Sequence, residues 1–205
     1  MTAAELHELQ QALQQENWPQ AEALLRGLID RNGGHASLHY NLGLVLRRQR
    51  KDALALAAFD VALSRDPGHP SAGFERAALL LDMGDDAGAE AGFRAHLTRH
   101  PGDGDARLNL ARLALRREAP AEAMEFAAGD DRAEAQLVAV EALRDLGRLD
   151  DMQALASLVA AAAPQLKPVL LKIVSQGPRG RLPLQVGVVF APPGTMAPPR
   201  RKSRR

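Results

Sequence analysis

The sequence predicts an all-α protein: an α-solenoid of about four to five helix-turn-helix units, closed by a capping helix and followed by a non-helical tail. Three observations lead there. The composition is rich in cheap helix formers, a residue pattern repeats every 34 positions, and prolines and glycines fall where helices must begin and end. Apolar residues make up 46% of the 205-residue chain and aromatic residues only 3%. Ala, Leu, Arg and Glu cost least in a helix, and they dominate here over β-branched residues. A core knit from Ala and Leu fills little volume per side chain, so its helices must pack closely.

The period shows when residues 36–69 are set above residues 70–103. Ala55 then aligns with Ala89, Phe59 with Phe93, Leu63 with Leu97, and Pro67-Gly68 with Pro101-Gly102. The same step backward puts Ala21 and Leu25 in register, and the same step forward puts Ala123 in register. The units fall near residues 2–35, 36–69, 70–103, 104–131 and 132–163, with a cap at 164–176.

In the first unit, Asn17 is placed to cap a helix that carries Pro19 in its first turn, where the missing N–H is not needed. In the second, Leu38, Leu42, Val45 and Leu46 recur at helical spacing. The polar turn Gln49-Arg50-Lys51-Asp52 leads to a helix bearing Leu54, Ala55, Ala58, Phe59, Ala62 and Leu63. Pro67 and Pro101 end their helices, because proline disfavours helical geometry in the residue before it. Pro70 and Pro120 are expected in first turns. Gly84-Asp85 turns the third unit. The fourth carries Leu108, Leu110, Ala111 and Ala114, and its second helix is cut short at Gly129-Asp130-Asp131. The fifth begins about 29 residues after the fourth, with Asp131 and Glu134 spaced as a capping box. Its stripe is Leu137, Val140, Ala142, Leu143 and Leu146, and Gly147 turns the chain into 149–163. Pro164 closes that helix, and 165–176 form the cap with Pro168 in its first turn.

Leu42-Gly43, Ala55, Phe59, Ala62 and Pro67 follow one another as the small and large packing positions of the tetratricopeptide repeat family, which the chain resembles over roughly residues 2–162. The third unit departs from that pattern, with Arg76-Ala77 for Leu-Gly and His96 for the second small residue. The resemblance implies a right-handed superhelix whose first helices line a concave face. In this register the face carries Leu6, His7 and Gln10 in the first unit, and Tyr40, Asn41, Leu44 and Arg48 in the second. Phe74, Glu75, Ala78 and Asp82 follow in the third, then Leu108, Asn109, Arg112 and Arg116. Tyr40, Phe74 and Leu108 form an apolar ladder beside the polar ladder Asn41, Glu75 and Asn109. That arrangement suits a peptide whose side chains enter pockets while amides hold its backbone. In the alternative, Tyr40 and Phe74 pack between neighbouring helices. Family members that grip acidic chaperone tails use a clamp that would fall on Leu6, Gln10, Asn41, Ser71 and Glu75. Only Asn41 matches, and Glu75 carries the wrong charge, so that role is not expected.

From Gly177 the chain becomes rich in Pro, Gly and Arg. Leu184, Val186 and Val188 alternate with Gln185 and Gly187, so Leu182–Phe190 is read either as a sticky stretch of a disordered tail or as a segment that docks on the repeats. Residues 191–205 are expected to be disordered. Arg200, Arg201, Lys202, Arg204 and Arg205 put five positive charges in the last six residues, although the whole chain is only +1.

No cysteine is present, which removes disulfides, thiolate metal sites and a cysteine nucleophile. The first twenty residues lack the basic and apolar regions of a secretory signal. No apolar run approaches the length of a membrane span; the longest candidate runs from Leu155 to Ala163. A cytoplasmic location is the expectation. The histidine pairs His35/His39 and His96/His100 share helical faces but lack the glutamate and third ligand of a zinc site, so they are read as surface or inter-helix residues. With no nucleophile elbow or phosphate loop, neither catalytic residues, metal ligands nor cofactor are expected. The function expected is a scaffold or adaptor that holds a peptide or partner protein. Nucleic-acid association through the basic tail, or service as a chaperone for one secreted client, are the alternatives. Oligomeric state is left open.

Overall fold

The computed structural model describes residues 2–177 and 180–181. These hold eleven α-helices. They are α1 (Ala3–Gln14), α2 (Trp18–Asn32), α3 (Ala36–Arg48), α4 (Asp52–Arg65), α5 (Ala72–Asp82), α6 (Asp86–Arg99), α7 (Gly104–Arg116), α8 (Pro120–Ala127), α9 (Ala133–Asp145), α10 (Leu149–Ala162) and α11 (Lys167–Ser175). A 3-10 turn at Pro164–Leu166 precedes α11. After it, β1 (Gln176–Gly177) pairs antiparallel with β2 (Gly180–Arg181). The chain divides into two compact units, residues 1–106 and 107–205. No helix among the described residues is long and apolar enough to cross a membrane.

Local chemistry sets the helix ends. Thr2 and Glu5 form a reciprocal capping box on α1, with the Thr2 hydroxyl accepting the Glu5 N–H and the Glu5 carboxylate accepting the Thr2 N–H. Asn17 accepts the Gln20 N–H at the start of α2, with Pro19 in the first turn. Pro120 opens α8, which has only eight residues. Between the helices of a pair the chain passes through one left-handed residue. These are Glu16 (φ 53°), Arg50 (φ 60°), Gly84 (φ 83°) and Glu118 (φ 59°), each 34 positions from the last, then Gly147 (φ 73°), 29 further on. The short α8 accounts for the shortened step.

Two starts differ from the sequence expectation. Asp131 and Glu134 do not form a capping box. Asp130 instead accepts the Arg132 N–H at 3.0 Å and grips its guanidinium, so α9 begins one residue later and Glu134 sits too early to reach back. Hydrogen bonding to Arg132 outweighs burial and holds the Asp130 carboxyl down at about 2. Pro70 lies outside α5, ahead of its N-cap Ser71. The cap is supplied by His69, whose Nδ1 accepts the Ala72 N–H at 3.2 Å.

In the first unit, α1 packs on α2, α3 on α4 and α5 on α6, while α2 meets α3 and α4 meets α5. Leu25, Leu28, Leu46, Ala55, Phe59 and Leu79 anchor its core. Within the α3–α4 pair, a Cβ on Gly43 would lie 2.5 Å from the Phe59 ring; the missing side chain is the space the ring occupies. In the α5–α6 pair the equivalent position is Ala77, and the glycine has moved across the interface to Gly92, whose Cβ would lie 2.9 Å from that of Ala77. Ala58 is the counterpart of Gly92 by repeat position, so glycine and alanine trade helices between the two pairs. This explains the third unit's departure from Leu-Gly.

Polar ties then fix successive pairs. The Glu22 carboxylate on α2 accepts from Lys51 Nζ (2.7 Å) and Gln49 Nε2 (2.9 Å). Gln49 also donates to the Trp18 carbonyl, so the α3–α4 turn is held against α2.

In the second unit, α9 packs against α8, α10 and α11. One cluster gathers Leu108, Ala111, Ala114, Ala123, Ala135 and Val138; another gathers Val140, Leu143, Met152, Val159, Leu170 and Val174. Arg144 is buried to 9% exposure. It pairs with Asp145 (2.7 Å) and Glu141 (3.1 Å), and donates to the Ile173 carbonyl at 2.7 Å. A guanidinium on the carboxyl end of α11 gives the Ile173 carbonyl a second donor beside the Gln176 N–H and complements the helix dipole. The expectations for Leu182–Phe190, for residues 191–205 and for the terminal cations lie outside the described residues.

Candidate peptide-binding face

The first unit brings several face positions into one open cleft of about 470 Å³. Leu44 and Arg48 from α3 and Glu75 from α5 line it, joined by Arg47, Arg50 and Asp82. Arg47 organises the cleft, donating to Glu75 at 2.6 Å and to Asp82 at 2.5 Å. Both carboxylates lie on α5, about two helical turns apart, so a single guanidinium ties α3 along the length of its neighbour. Once Arg47 has satisfied Glu75, the negative charge that excluded the carboxylate clamp is neutralised. Three guanidiniums face two carboxylates, and Arg48 and Arg50 are exposed to solvent. Sequence reasoning missed Arg47 because its partners lie 28 and 35 positions away.

The aromatic rungs sit between surface and core. Tyr40 is half-buried, its ring 4.8 Å from His69 and 6.1 Å from Phe59. Phe74 makes edge contacts with Phe93 at 5.4 Å and with His96 at 5.9 Å. Asn41 and Ala78 are half-buried on the same helices.

A second line of polar residues supports this face. His96 is buried and its Nε2 lies 2.8 Å from Asp103. Asp103 also accepts the N–H groups of Asp105 and Ala106 and so caps α7. Burial pushes the Asp103 carboxyl up, but these hydrogen bonds and the charge of His96 outweigh it and hold it below its ordinary value. His69 and Asp103, 34 positions apart, thus do the same work: each caps the first helix of the next pair through the N–H three residues on. His35 holds the equivalent place without a side-chain cap bond. The signal was in the sequence as His35, His69 and Asp103 at one repeat position. His100 stacks on His96 at 4.6 Å. Burial, and then the charge of Arg65, pushes the His39 imidazole below its ordinary value, with its Nε2 against Gly34. Among the described residues no group of three His, Asp or Glu is placed to hold a metal ion.

In the second unit, Leu108 is 7% exposed and belongs to the core. Asn109 is half-buried, and Arg112 is exposed at the edge of a separate cleft of about 390 Å³ between α7, α9 and α11.

Paired helices on a fixed period, with a polar face on the first helix of each pair, define a class of repeat scaffold. The tetratricopeptide repeat family profile matches residues 8–70 and 74–129, and the chain belongs to that family. Among solved structures it is similar to a tetratricopeptide repeat protein from Parabacteroides merdae, at 18% identity and a TM-score of 0.74, over 84% of this chain and 70% of that one. It is also similar to YrrB, described as a TPR protein with an unusual peptide-binding site, at 19% identity and a TM-score of 0.65, over 74% and 80% of the two chains. PilF of Pseudomonas aeruginosa shares 16% identity with a TM-score of 0.61, over 83% and 87%. These are likenesses of fold. No curated protein matches the chain.

Proposed function

We propose that the protein is a non-catalytic scaffold whose first-unit cleft holds an extended peptide of a partner protein. The observation that carries this reading is the arrangement around Arg47. A buttressed guanidinium keeps Glu75 and Asp82 engaged and leaves Arg48 and Arg50 facing solvent beside Leu44. Such a surface offers cations to an acidic side chain or chain end, an apolar contact to one neighbour, and the Asn41 amide to peptide backbone. The peptide-binding site ascribed to YrrB, a neighbour in fold, supports the use of this architecture for that task. Tyr40, Phe74 and Ala78, half-buried on the same two helices, would extend the surface beside the cleft.

The test is capture of partners on the immobilised full chain, with peptides identified by mass spectrometry at moderate salt. Arg48→Glu and Asn41→Ala leave the Phe59 core untouched, so folding is preserved. Both should lower retention of the same partner at least tenfold. A partner retained equally by both variants would rule out this cleft.

A further inference from the structure

In the first unit, a cleft of about 180 Å³ lies between α4, α5 and α6, and its lining holds two arginines and three histidines but no carboxylate. Arg76 comes from α5, His96 and Arg99 from α6, His100 from the end of α6, and His69 from the turn before α5. The cleft shares no lining residue with the one around Arg47. We propose that it is a binding site for a phosphate group, taken as inorganic phosphate or as a phosphomonoester.

The lining side chains keep hydrogen-bonding capacity in reserve. His69 and His96 are both at least nine-tenths buried. The His69 Nδ1 accepts the Ala72 N–H, so its proton sits on Nε2, which has no hydrogen-bond partner among the described residues. His96 engages Asp103 through Nε2, and its Nδ1 has no partner among the described residues. Gly73 leaves that atom uncovered, since a Cβ there would lie 3.4 Å from it. Arg76 meets Asp60 through Nε at 2.5 Å, which leaves its two terminal nitrogens to donate elsewhere. Arg99 reaches no carboxylate among the described residues, and its one bond is a long 3.5 Å contact with the Ala95 carbonyl of its own helix. The neighbouring carboxylates are engaged outside the cleft: Asp60 with Arg76, Asp103 with His96 and two backbone N–H groups, and Asp66 with the Gly68 N–H. A buried polar ring with an open nitrogen is costly until an acceptor or water meets it, and an anion in the cleft supplies the acceptor. The volume falls below the roughly 300–1,000 Å³ of pockets for drug-sized molecules, so the cleft admits one anionic group. Donors arrive from three chain segments, which suits a tetrahedral oxyanion better than a planar carboxylate, and guanidinium forks match phosphate oxygens. The same imidazoles are not grouped to hold a metal ion.

The six histidines of the full-length chain report on the site. Inorganic phosphate, and separately O-phosphoserine, is titrated in at fixed pH and ionic strength while the imidazole resonances are recorded. The His69, His96 and His100 signals should move along one saturable curve with a Kd of about 1 mM or below, while those of His7, His35 and His39 stay in place. Saturation by phosphate alone marks the free anion as the ligand; tighter saturation by O-phosphoserine marks a phosphomonoester. Arg99→Gln removes an exposed cation, and Gly73→Ala covers the His96 Nδ1 at ordinary contact distance. Each should weaken binding at least tenfold with the far-ultraviolet circular dichroism unchanged, whereas Arg148→Gln, which removes a cation in the second unit, should leave it as it was. Failure of both probes to saturate would overturn the proposal. So would a common drift of all six histidines, an equal affinity for acetate, or equal weakening by Arg148→Gln.

Discussion

Replacing Gly43 by alanine asks how tightly the α3–α4 crossing is built. The added Cβ would meet Phe59 at 2.5, 2.7 and 3.0 Å from three ring atoms, and the ring is fully buried. With no solvent side to retreat to, the ring must push α3 and α4 apart. Overpacking of this kind costs about 3 kcal/mol at the upper end of its range. Alanine returns about 1 kcal/mol of helix propensity, leaving a net loss of about 2 kcal/mol. Chemical denaturation followed by circular dichroism reads the total, and amide exchange in α3 and α4 shows where it falls, which matters in an array whose pairs open separately. Phe59→Leu alone should cost about 1.5 kcal/mol, and the double variant should cost at least 1 kcal/mol less than the two singles combined. In the next pair, Gly92→Ala should also destabilise, and the exchange Ala77→Gly with Gly92→Ala should restore most of the loss. A neutral Gly43→Ala, or strictly additive singles, would show that the glycine is not there for the ring.

Glu16→Gly and Glu118→Gly should each stabilise by about 0.5 kcal/mol, since relief of a left-handed backbone slightly exceeds the entropy glycine adds to the unfolded chain; a drop in the denaturation midpoint would contradict this. Arg144→Met should cost about 3 kcal/mol by stranding Asp145, Glu141 and the end of α11, with α11 amides losing exchange protection first; unchanged protection there would sink the docking role. Hydrogen bonding to Lys51, Gln49 and Arg26 outweighs burial and holds the Glu22 carboxyl at about 2 against an ordinary 4.5. A lowered carboxyl stabilises the fold above pH 4.5 and loses that contribution as pH falls toward 2. Solvent screening of Lys51 and Arg26 reduces it to about 1 kcal/mol. The stability gap between wild type and Glu22→Gln should close over that window, and a constant gap would refute the linkage.

The repeat was legible because proline, glycine and small residues act through the local backbone, which a single sequence displays. Pro67, Pro101, Asn17 and Gly84 needed no partner to be interpreted. The start of α9 was less so, since two adjacent carboxylates compete at one helix start and Asp130, by holding the N–H and guanidinium of Arg132, sets it one residue later without capping it. The cleft was half visible. Leu44, Arg48 and Glu75 followed from register, whereas Glu75 looked like a bare negative charge until Arg47 was seen to meet it across two helices. Tyr40 and Phe74 illustrate the same limit: period places a ring on a face, but the depth to which it sinks depends on His69 and His96 behind it.

The exchange of glycine and alanine between the α3–α4 and α5–α6 crossings constrains how such repeats can diverge. One methyl can change sides only through a state with two methyls or with none. Two methyls force the helices apart, while two glycines forfeit about 1 kcal/mol of helix propensity and leave a gap that neighbours can partly close. Mutational drift between these geometrically equivalent repeats therefore runs through the loosened, glycine-rich intermediate. An array of several pairs can carry one such weakened crossing at a time while its other crossings stay closed.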